Sequence, residues 1–197
     1  MVKRRRLGRQ AQSAPDARRK PGPPPLWLFT DEGRTPDPLA IISRLPVGLC
    51  GVLFRHDSHP DRARLAKAAA RICRARRLTL IIAGDARLAA ALGAGLHLRG
   101  GAAAHNAGGK PILRSASAHN AAQIAKARRA GVALIFISPV FPTATHPGAP
   151  GLGVSGWLKL ARQAGRIRTY ALGGITGARV RGLTFRCAGI GAIEAFL

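Results

Sequence analysis

Two turns in the second half of the chain carry residues that could bind a phosphate group. The first turn, SPVFPTATHPGAPGLG, covers residues 138–153 and contains Thr143 and Thr145 among prolines and glycines. The second turn is Gly173-Gly174, which ends a short apolar run. Threonine hydroxyls and the backbone N–H groups of a glycine turn are donors that hold oxyanions well. The two turns therefore predict a site for phosphorylated small molecules.

Each of these turns follows an apolar, β-like segment. Val132–Ile137 precedes the threonine turn, and Tyr170–Leu172 precedes the glycine turn. In a parallel α/β fold, the loops at the carboxyl ends of the strands are the usual place for substrates and oxyanions. We therefore expect both turns at one end of a parallel sheet.

Short apolar runs alternate with segments of helical period from Leu26 onward. Strands are predicted at Leu26–Asp31, Leu49–Arg55, Leu78–Ala83, Gly95–Leu98, Ile112–Ser117, Ala133–Ser138, Arg168–Leu172 and Gly189–Ile193. Helices are predicted at Pro38–Leu45, His59–Arg76, Ala86–Leu92, Asn120–Ala130, Val154–Ala164 and Thr176–Arg186, with Asn120 and Thr176 as N-caps.

Eight strands alternating with helices indicate an α/β fold, a (β/α)₈ TIM barrel. The barrel would be compact, because residues 26–197 fall short of the lower limit of about 200 residues for this fold. Arg99–Lys110 has no helical stripe, and only Ala195–Leu197 follows the last strand. We therefore expect a shortened or missing final helix. An open doubly wound sheet of six or seven strands is the alternative.

The chain is strongly basic, with 32 Lys and Arg against 8 Asp and Glu and a net charge of +24. Residues 1–25 form a basic, Pro-rich tail that ends in PGPPP and is predicted to be disordered, while residues 26–197 form the barrel domain. A basic tail could anchor the protein to DNA, and it also fits an organellar presequence. The mixture of Arg and Ala is typical of GC-rich coding, so nucleic-acid binding is disfavoured as the main function.

The three cysteines argue for a reduced, cytoplasmic protein. Their number is odd and they form no C-x-x-C pair, which disfavours a disulfide framework and a zinc site. Cys50 and Cys187 lie in apolar segments and are predicted to be buried thiols. No apolar run has the length of a membrane span, so no membrane partner is expected.

Three segments together carry a resemblance to a known family. They are ASAHN at 116–120, the threonine turn with its following valine, and ALGGIT at 171–176. In this combination the chain resembles the superfamily of thiamine phosphate synthases and TenI-like aminothiazole tautomerases. The resemblance covers residues 112–194 most strongly and reaches back, more weakly, to Trp27–Asp31. It implies a compact TIM barrel.

The resemblance also implies a reaction and a set of site residues. In the synthases, hydroxymethylpyrimidine diphosphate loses pyrophosphate, and a thiazole phosphate captures the pyrimidine cation with its ring nitrogen. Carried over to this chain, Thr143, Thr145, Gly173 and Gly174 would bind the thiazole phosphate. Ser117 and Arg55 would contact pyrophosphate, Asp85 would bind Mg²⁺ if the synthase reaction is retained, and His119 would be the acid/base of the tautomerase reaction.

Each of these residues also has an interpretation without a catalytic role. Asp85 could be the N-cap of the helix Ala86–Leu92. His119 and Ser117 could simply end a strand, and Arg55 is one of many arginines. His97, in the middle of a strand with apolar neighbours, is predicted to be structural.

Several positions depart from the family pattern that the resemblance implies. His146 replaces a lysine, Ala102 the second metal aspartate, Gly84 an asparagine, Asp57 a strand-two lysine and Glu194 a serine. These changes predict a diverged member, a transferase of the synthase type with phosphorylated thiazole and pyrimidine as its ligands. The alternatives are a TenI-like tautomerase and a degenerate ligand-binding or regulatory barrel. A missing final helix would expose the barrel edge, which hints at a homodimer.

Overall fold

The computed structural model describes residues 22–99, 113–143, 150–176, 179, 182–183 and 186–193 of the chain. The strands in these ranges are β1 (Leu26–Phe29), β2 (Cys50–Phe54), β3 (Thr79–Ala83), β4 (Gly95–Leu98), β5 (Arg114–Ala118), β6 (Leu134–Ile137), β7 (Arg168–Leu172) and β8 (Cys187–Ala192). The helices in these ranges are α1 (Pro38–Arg44), α2 (Arg62–Ala75), α3 (Ala86–Leu92), α4 (Ala121–Arg129) and α5 (Gly153–Gln163).

The eight strands form one closed parallel barrel in chain order. Closure is made by β1 and β8, where Leu26 pairs with Ile190 and Leu28 with Ala192. The predicted (β/α)₈ barrel is confirmed, and the open doubly wound sheet is wrong because the two outer strands pair with each other. Each strand points its carboxyl end to the same rim.

The predicted elements agree with the structure to within a few residues where the structure describes them. The predicted N-cap Asn120 is confirmed, since its side chain accepts a hydrogen bond from the Gln123 N–H at 3.0 Å. The predicted helix Thr176–Arg186 lies largely outside the described residues, as do most of Arg99–Lys110 and all of Ala195–Leu197. The shape of the final βα unit therefore stays a prediction.

The end of the basic tail that the structure describes lies against the amino-terminal end of the barrel. The Trp27 indole N–H donates to the Pro24 carbonyl at 2.9 Å, and the Ile190 N–H donates to the Pro25 carbonyl at 2.8 Å. Residues 1–21 lie outside the described residues.

Alternation along the strands divides the core into an inner and an outer layer. The inner layer fills the barrel with aromatic rings, since Trp27 lies edge-on to Phe136 at 5.6 Å and to Tyr170 at 6.1 Å. Phe29 meets Phe136 in the same geometry at 4.8 Å. Residues such as Leu28 belong to the outer layer and are buried between the strands and the helices.

Small residues in the strands make room for these rings. A Cβ atom added to Gly51 would lie 2.5 Å from two ring carbons of Trp27. On β8, a Cβ added to Gly191 would lie 2.7 Å from the ring of Phe29. The interior is therefore filled by large rings that lie against glycines, where a larger residue would collide with the ring.

The cysteines are all free thiols, as predicted. Cys50 and Cys73 are buried, whereas Cys187 is partly exposed although the sequence predicted it to be buried. Burial raises the pKa of the Cys73 thiol to about 12, so it is protonated and inert at neutral pH. None of the helices in the described ranges has the length and apolar character needed to cross a membrane.

Alanine substitutions at two glycines test the packing of the barrel interior. Gly51→Ala should destabilise the fold by about 1–3 kcal/mol, because the methyl group overpacks against Trp27. Gly156→Ala, inside α5, is the matched control, since its Cβ would approach no described atom closer than 3.4 Å. It should stabilise the helix by about 0.5–1 kcal/mol. Urea unfolding measures both, and equal effects would contradict the packing argument.

Candidate active site

A cavity of about 750 Å³ opens at the carboxyl-terminal mouth of the barrel. Loops at this mouth are where TIM barrels place their sites. Of the residues predicted from the sequence, the cavity lining brings together Arg55, Ser117, His119, Thr143, Gly173 and Gly174. Thr145 lies outside the described residues, as do His146, Ala102 and Glu194. Asp85 is described but does not line the cavity.

The threonine turn and the glycine turn form one wall of this cavity. The Phe141 N–H donates to the Gly173 carbonyl at 3.1 Å, so the loop after β6 runs alongside the end of β7. A Cβ on Gly173 would lie 3.1 Å from Cγ2 of Thr143, and a Cβ on Gly174 would lie 2.6 Å from the Pro142 carbonyl oxygen. The two turns therefore require glycine for their close contact.

Backbone conformation adds a second requirement for glycine at this wall. Gly173 has φ +92° and Gly174 has φ +64°, both in the left-handed region that glycine adopts without strain. Within the described part of the chain, the N–H groups of Gly174 and Ile175 donate to no protein acceptor. N–H groups left open at a turn in a cavity can bind an anion.

Cations dominate the charged side chains that line the cavity. Among the described residues the lining contains a single carboxylate, Asp57, and five cations, Arg34, Arg55, Arg99, Lys126 and Arg179. The ion pairs of the described residues include none for Arg55, which directly follows β2. This charge balance favours an anionic ligand.

His119 is held in one tautomer by its surroundings at the end of β5. Its Nδ1 lies 2.7 Å from the Ser138 carbonyl oxygen, which only accepts, so Nδ1 carries the proton. Its backbone N–H donates to the Gln123 side chain at 2.6 Å, which ties it to the first turn of α4. No hydrogen bond from another described residue reaches Nε2. That nitrogen therefore presents a lone pair that can accept a proton from a ligand.

A second histidine, His97, lies inside the barrel beside two serines of β5. Its Nδ1 is 2.9 Å from Ser115 Oγ, and its Nε2 is 3.2 Å from Ser117 Oγ. Burial above all, and then the positive charge of Arg55, lowers its pKa to about 4. His97 is therefore neutral at physiological pH and fixes the hydroxyl of Ser117 at the cavity wall.

The sequence predicted a structural role for His97 and did not place it in the site. It is buried, as a structural residue would be, but it also lines the cavity. The signal that could have found it is the parallel register, in which Ser115 lies beside His97 and Ser117 lies two residues further along β5. A histidine between two serines of a neighbouring strand indicates a polar patch in an otherwise apolar barrel.

The carboxylates present do not fit the magnesium site that the resemblance implies. Asp85 Oδ1 accepts from the Leu88 N–H at 2.9 Å, so Asp85 is the N-cap of α3, and Oδ2 accepts from Arg62 at 3.1 Å. Within the described ranges, no cluster of three or more His, Cys, Asp or Glu side chains could hold a metal ion. Magnesium needs several oxygen ligands, and the carboxylate oxygens here already have protein donors.

Comparison with known proteins places these residues in a family context. A family profile described as Thiamine monophosphate synthase matches residues 28–196. The thiamine-phosphate synthase of Synechococcus sp. (strain WH7803) is 31% identical over an alignment of 179 residues, and the match covers 85% of this chain and 48% of that protein. The chain thus spans about half the length of this curated relative.

Two solved structures show the same barrel. Thiamine phosphate pyrophosphorylase from Pyrococcus furiosus matches with a TM-score of 0.69 at 21% identity, covering 86% of this chain and 85% of that one. An HpcH/HpaI aldolase from Desulfitobacterium hafniense matches with a TM-score of 0.57 at 12% identity, covering 86% of this chain and 85% of that one. At these identities the structural matches support the fold.

The neutral His97 should make stability depend on pH. Its folded pKa of about 4 lies below the ordinary value of 6.5, so the unfolded chain binds the proton first as the pH falls. Between pH 6.5 and 4 the fold should lose roughly 3 kcal/mol through this residue. Urea unfolding across this range measures the loss.

His97→Asn is the control variant, because an amide can keep the hydrogen bond to Ser115 without titrating. Burial also lowers the pKa of His56, but this contribution is present in both proteins and cancels in the comparison. If the free energy of unfolding of the wild type and of His97→Asn changed in parallel with pH, the lowered pKa of His97 in the folded state would be contradicted.

Proposed function

This chain belongs to the thiamine monophosphate synthase family, and on that premise we propose that it binds a thiazole phosphate and joins it to hydroxymethylpyrimidine diphosphate. In this reaction the bond between the pyrimidine methylene carbon and the diphosphate oxygen breaks, and pyrophosphate leaves with the electron pair. The lone pair of the thiazole nitrogen then forms the new carbon–nitrogen bond. The observation that carries the proposal is the shared cavity wall of Thr143, Gly173 and Gly174.

The glycine turn and the threonine turn would hold the phosphate of the thiazole. The open N–H groups of Gly174 and Ile175 and the hydroxyls of Thr143 and Thr145 are donors suited to a phosphate monoester. Fixed donors in a partly enclosed site bind an anion with little reorganisation. Thr145 enters this role through the family resemblance.

A second part of the cavity lining would bind the diphosphate. Arg55 and Ser117 line it, and His97 fixes the Ser117 hydroxyl through its Nε2. A guanidinium and a hydroxyl can both stabilise the charge that develops on the leaving pyrophosphate. The chain's own cations supply this stabilisation in the proposed mechanism.

His119 supports a second candidate, the thiazole tautomerase reaction. Its Nδ1–H is committed to the Ser138 carbonyl, so Nε2 could take a proton from one ring position and return it to another. This reaction needs no pyrophosphate and no metal. A third candidate is a degenerate barrel that binds the thiazole phosphate without turnover, which the altered position Asp57 favours because an acid replaces a cation there.

Turnover assays distinguish these candidates. Full-length protein is given both synthase substrates with Mg²⁺ in one assay and the aminothiazole tautomer in another, and the products are separated by chromatography. Formation of thiamine phosphate with release of pyrophosphate is expected. No turnover in either assay, together with tight thiazole phosphate binding in calorimetry, would establish the degenerate barrel. Absence of turnover and of binding would overturn the proposal.

Removing the cation after β2 should weaken ligand binding. Arg55→Ala is expected to weaken binding of hydroxymethylpyrimidine diphosphate roughly tenfold to hundredfold, as the loss of a charged hydrogen bond does. Arg64→Ala is the matched control, since Arg64 lies on α2, is exposed and pairs only with Asp61 among the described residues. Calorimetry measures the affinity of both variants for hydroxymethylpyrimidine diphosphate. Equal affinities of Arg55→Ala and Arg64→Ala would show that Arg55 does not contact this ligand.

Replacing His119 separates the two reactions. His119→Asn keeps a donor for the Ser138 carbonyl but loses the Nε2 base. Tautomerase turnover should fall about 10²- to 10⁴-fold, while synthase turnover should change much less. If both rates fall equally, His119 acts in positioning the loop rather than in proton transfer.

A further inference from the structure

The guanidinium group of Arg62 lies between the carboxylates of Asp57, which lines the cavity, and Asp85, which does not. Arg62, the first residue of α2, places Nη2 3.1 Å from Asp57 Oδ1 and Nη1 3.1 Å from Asp85 Oδ2. Its Nη2 also donates to the Ala83 carbonyl at the end of β3, at 2.6 Å. Arg62 therefore bridges the ends of β2 and β3, and each of its two terminal nitrogens holds one aspartate.

The remaining carboxylate oxygens also have donors. Asp85 Oδ1 accepts from the Leu88 N–H, and Asp57 Oδ2 pairs with Nη2 of Arg99. All four oxygens of the two aspartates are thus engaged by protein groups. A metal ion could bind both aspartates only if it displaced the guanidinium between them.

Displacing Arg62 would be costly. Its side chain is only 18% exposed, and the side chains of Asp57 and Asp85 are 27% and 38% exposed. Breaking a partly buried ion pair leaves an uncompensated charge, which is strongly unfavourable. Magnesium also demands near-octahedral oxygen ligands and gives up its water reluctantly. The fixed organic cation is therefore favoured over the metal at this position.

We propose that Arg62 takes the place of a divalent cation, so that the cavity binds its anionic ligand through guanidinium groups without a metal. This inference rests on the proposed function for the identity of the ligand, an organic phosphate or diphosphate. Arg62 and Arg99 balance the two aspartates, and Arg55, for which the described residues include no ion pair, lines the cavity as an additional cation. Arg62 is a positioning residue, since it acts on the ligand only through Asp57 and Arg99.

Mn²⁺ titration followed by electron paramagnetic resonance tests the proposal directly. The wild type should bind no more Mn²⁺ than the double variant Asp57→Asn/Asp85→Asn. Arg62→Ala should gain one Mn²⁺ per chain, since removing the guanidinium frees Asp57 Oδ1 and Asp85 Oδ2, one oxygen of each carboxylate, whereas Arg64→Ala on the same helix should not. Wild-type binding that is lost in Asp85→Asn overturns the proposal.

Loss of Arg62 could also impair folding, so circular dichroism accompanies each variant and Arg62→Gln serves as a second test. Glutamine can donate to one carboxylate but carries no charge, so this variant should also gain Mn²⁺ binding. A folded Arg62 variant that binds no more Mn²⁺ than the wild type would overturn the role assigned to Arg62.

Ligand binding provides an independent readout. Calorimetry with thiazole phosphate and, separately, with hydroxymethylpyrimidine diphosphate should give the same affinities in EDTA and in Mg²⁺, and a clear weakening of diphosphate binding in EDTA would overturn metal-free binding. If thiazole phosphate binds in neither buffer, the proposed function fails. The Mn²⁺ titration would still decide the role of Arg62, so the two failures are distinguishable.

Discussion

Closure of the parallel sheet is the constraint on which the rest of the structure depends. Pairing of β1 with β8 gives hydrogen-bond partners to the backbone groups that would otherwise form the two edges of the sheet. Because all the strands are parallel, their carboxyl ends lie at one rim of the closed barrel. Closure also fixes the space inside the barrel, which the rings of Trp27, Phe136 and Tyr170 fill. Groups that are more than a hundred residues apart in the chain, such as Arg55 and Gly174, meet at one cavity because of it.

The interior is chemically divided. The aromatic rings come from β1, β6 and β7, whereas β4 and β5 contribute His97, Ser115 and Ser117. Buried polar groups need partners, and this patch supplies them internally, with the imidazole kept neutral by burial. Ser117 belongs to this polar patch and also lines the cavity, so its hydroxyl, held by His97, is presented to a ligand.

At the rim of the barrel, oppositely charged side chains neutralise one another. Arg62 and Arg99 neutralise Asp57 and Asp85, and the remaining cations of the lining set the sign of the cavity. The acid at position 57, which departs from the pattern that the family resemblance implies, has a structural explanation here, since it pairs with two arginines. The replacement therefore redistributes charge within the rim and does not simply remove a cation. This arrangement suits a phosphorylated ligand held by organic cations.

The sequence by itself determined the strand and helix order, the N-cap Asn120, and the two turns around Thr143 and Gly173. These features are local, because periodicity, capping residues and Gly or Pro turns act over a few neighbouring positions. It also offered capping of the helix at Ala86 as one of two interpretations of Asp85, and the structure confirms that cap. Only the tertiary structure decided which strands close the barrel, that His97 faces two serines, and that Arg62 lies between two aspartates. Strand pairing and the position of His97 depend on the register between segments that are distant in the chain. The partner of each carboxylate depends on which of many arginines comes close to it in the folded chain. Neither can be read from the spacing of neighbouring residues.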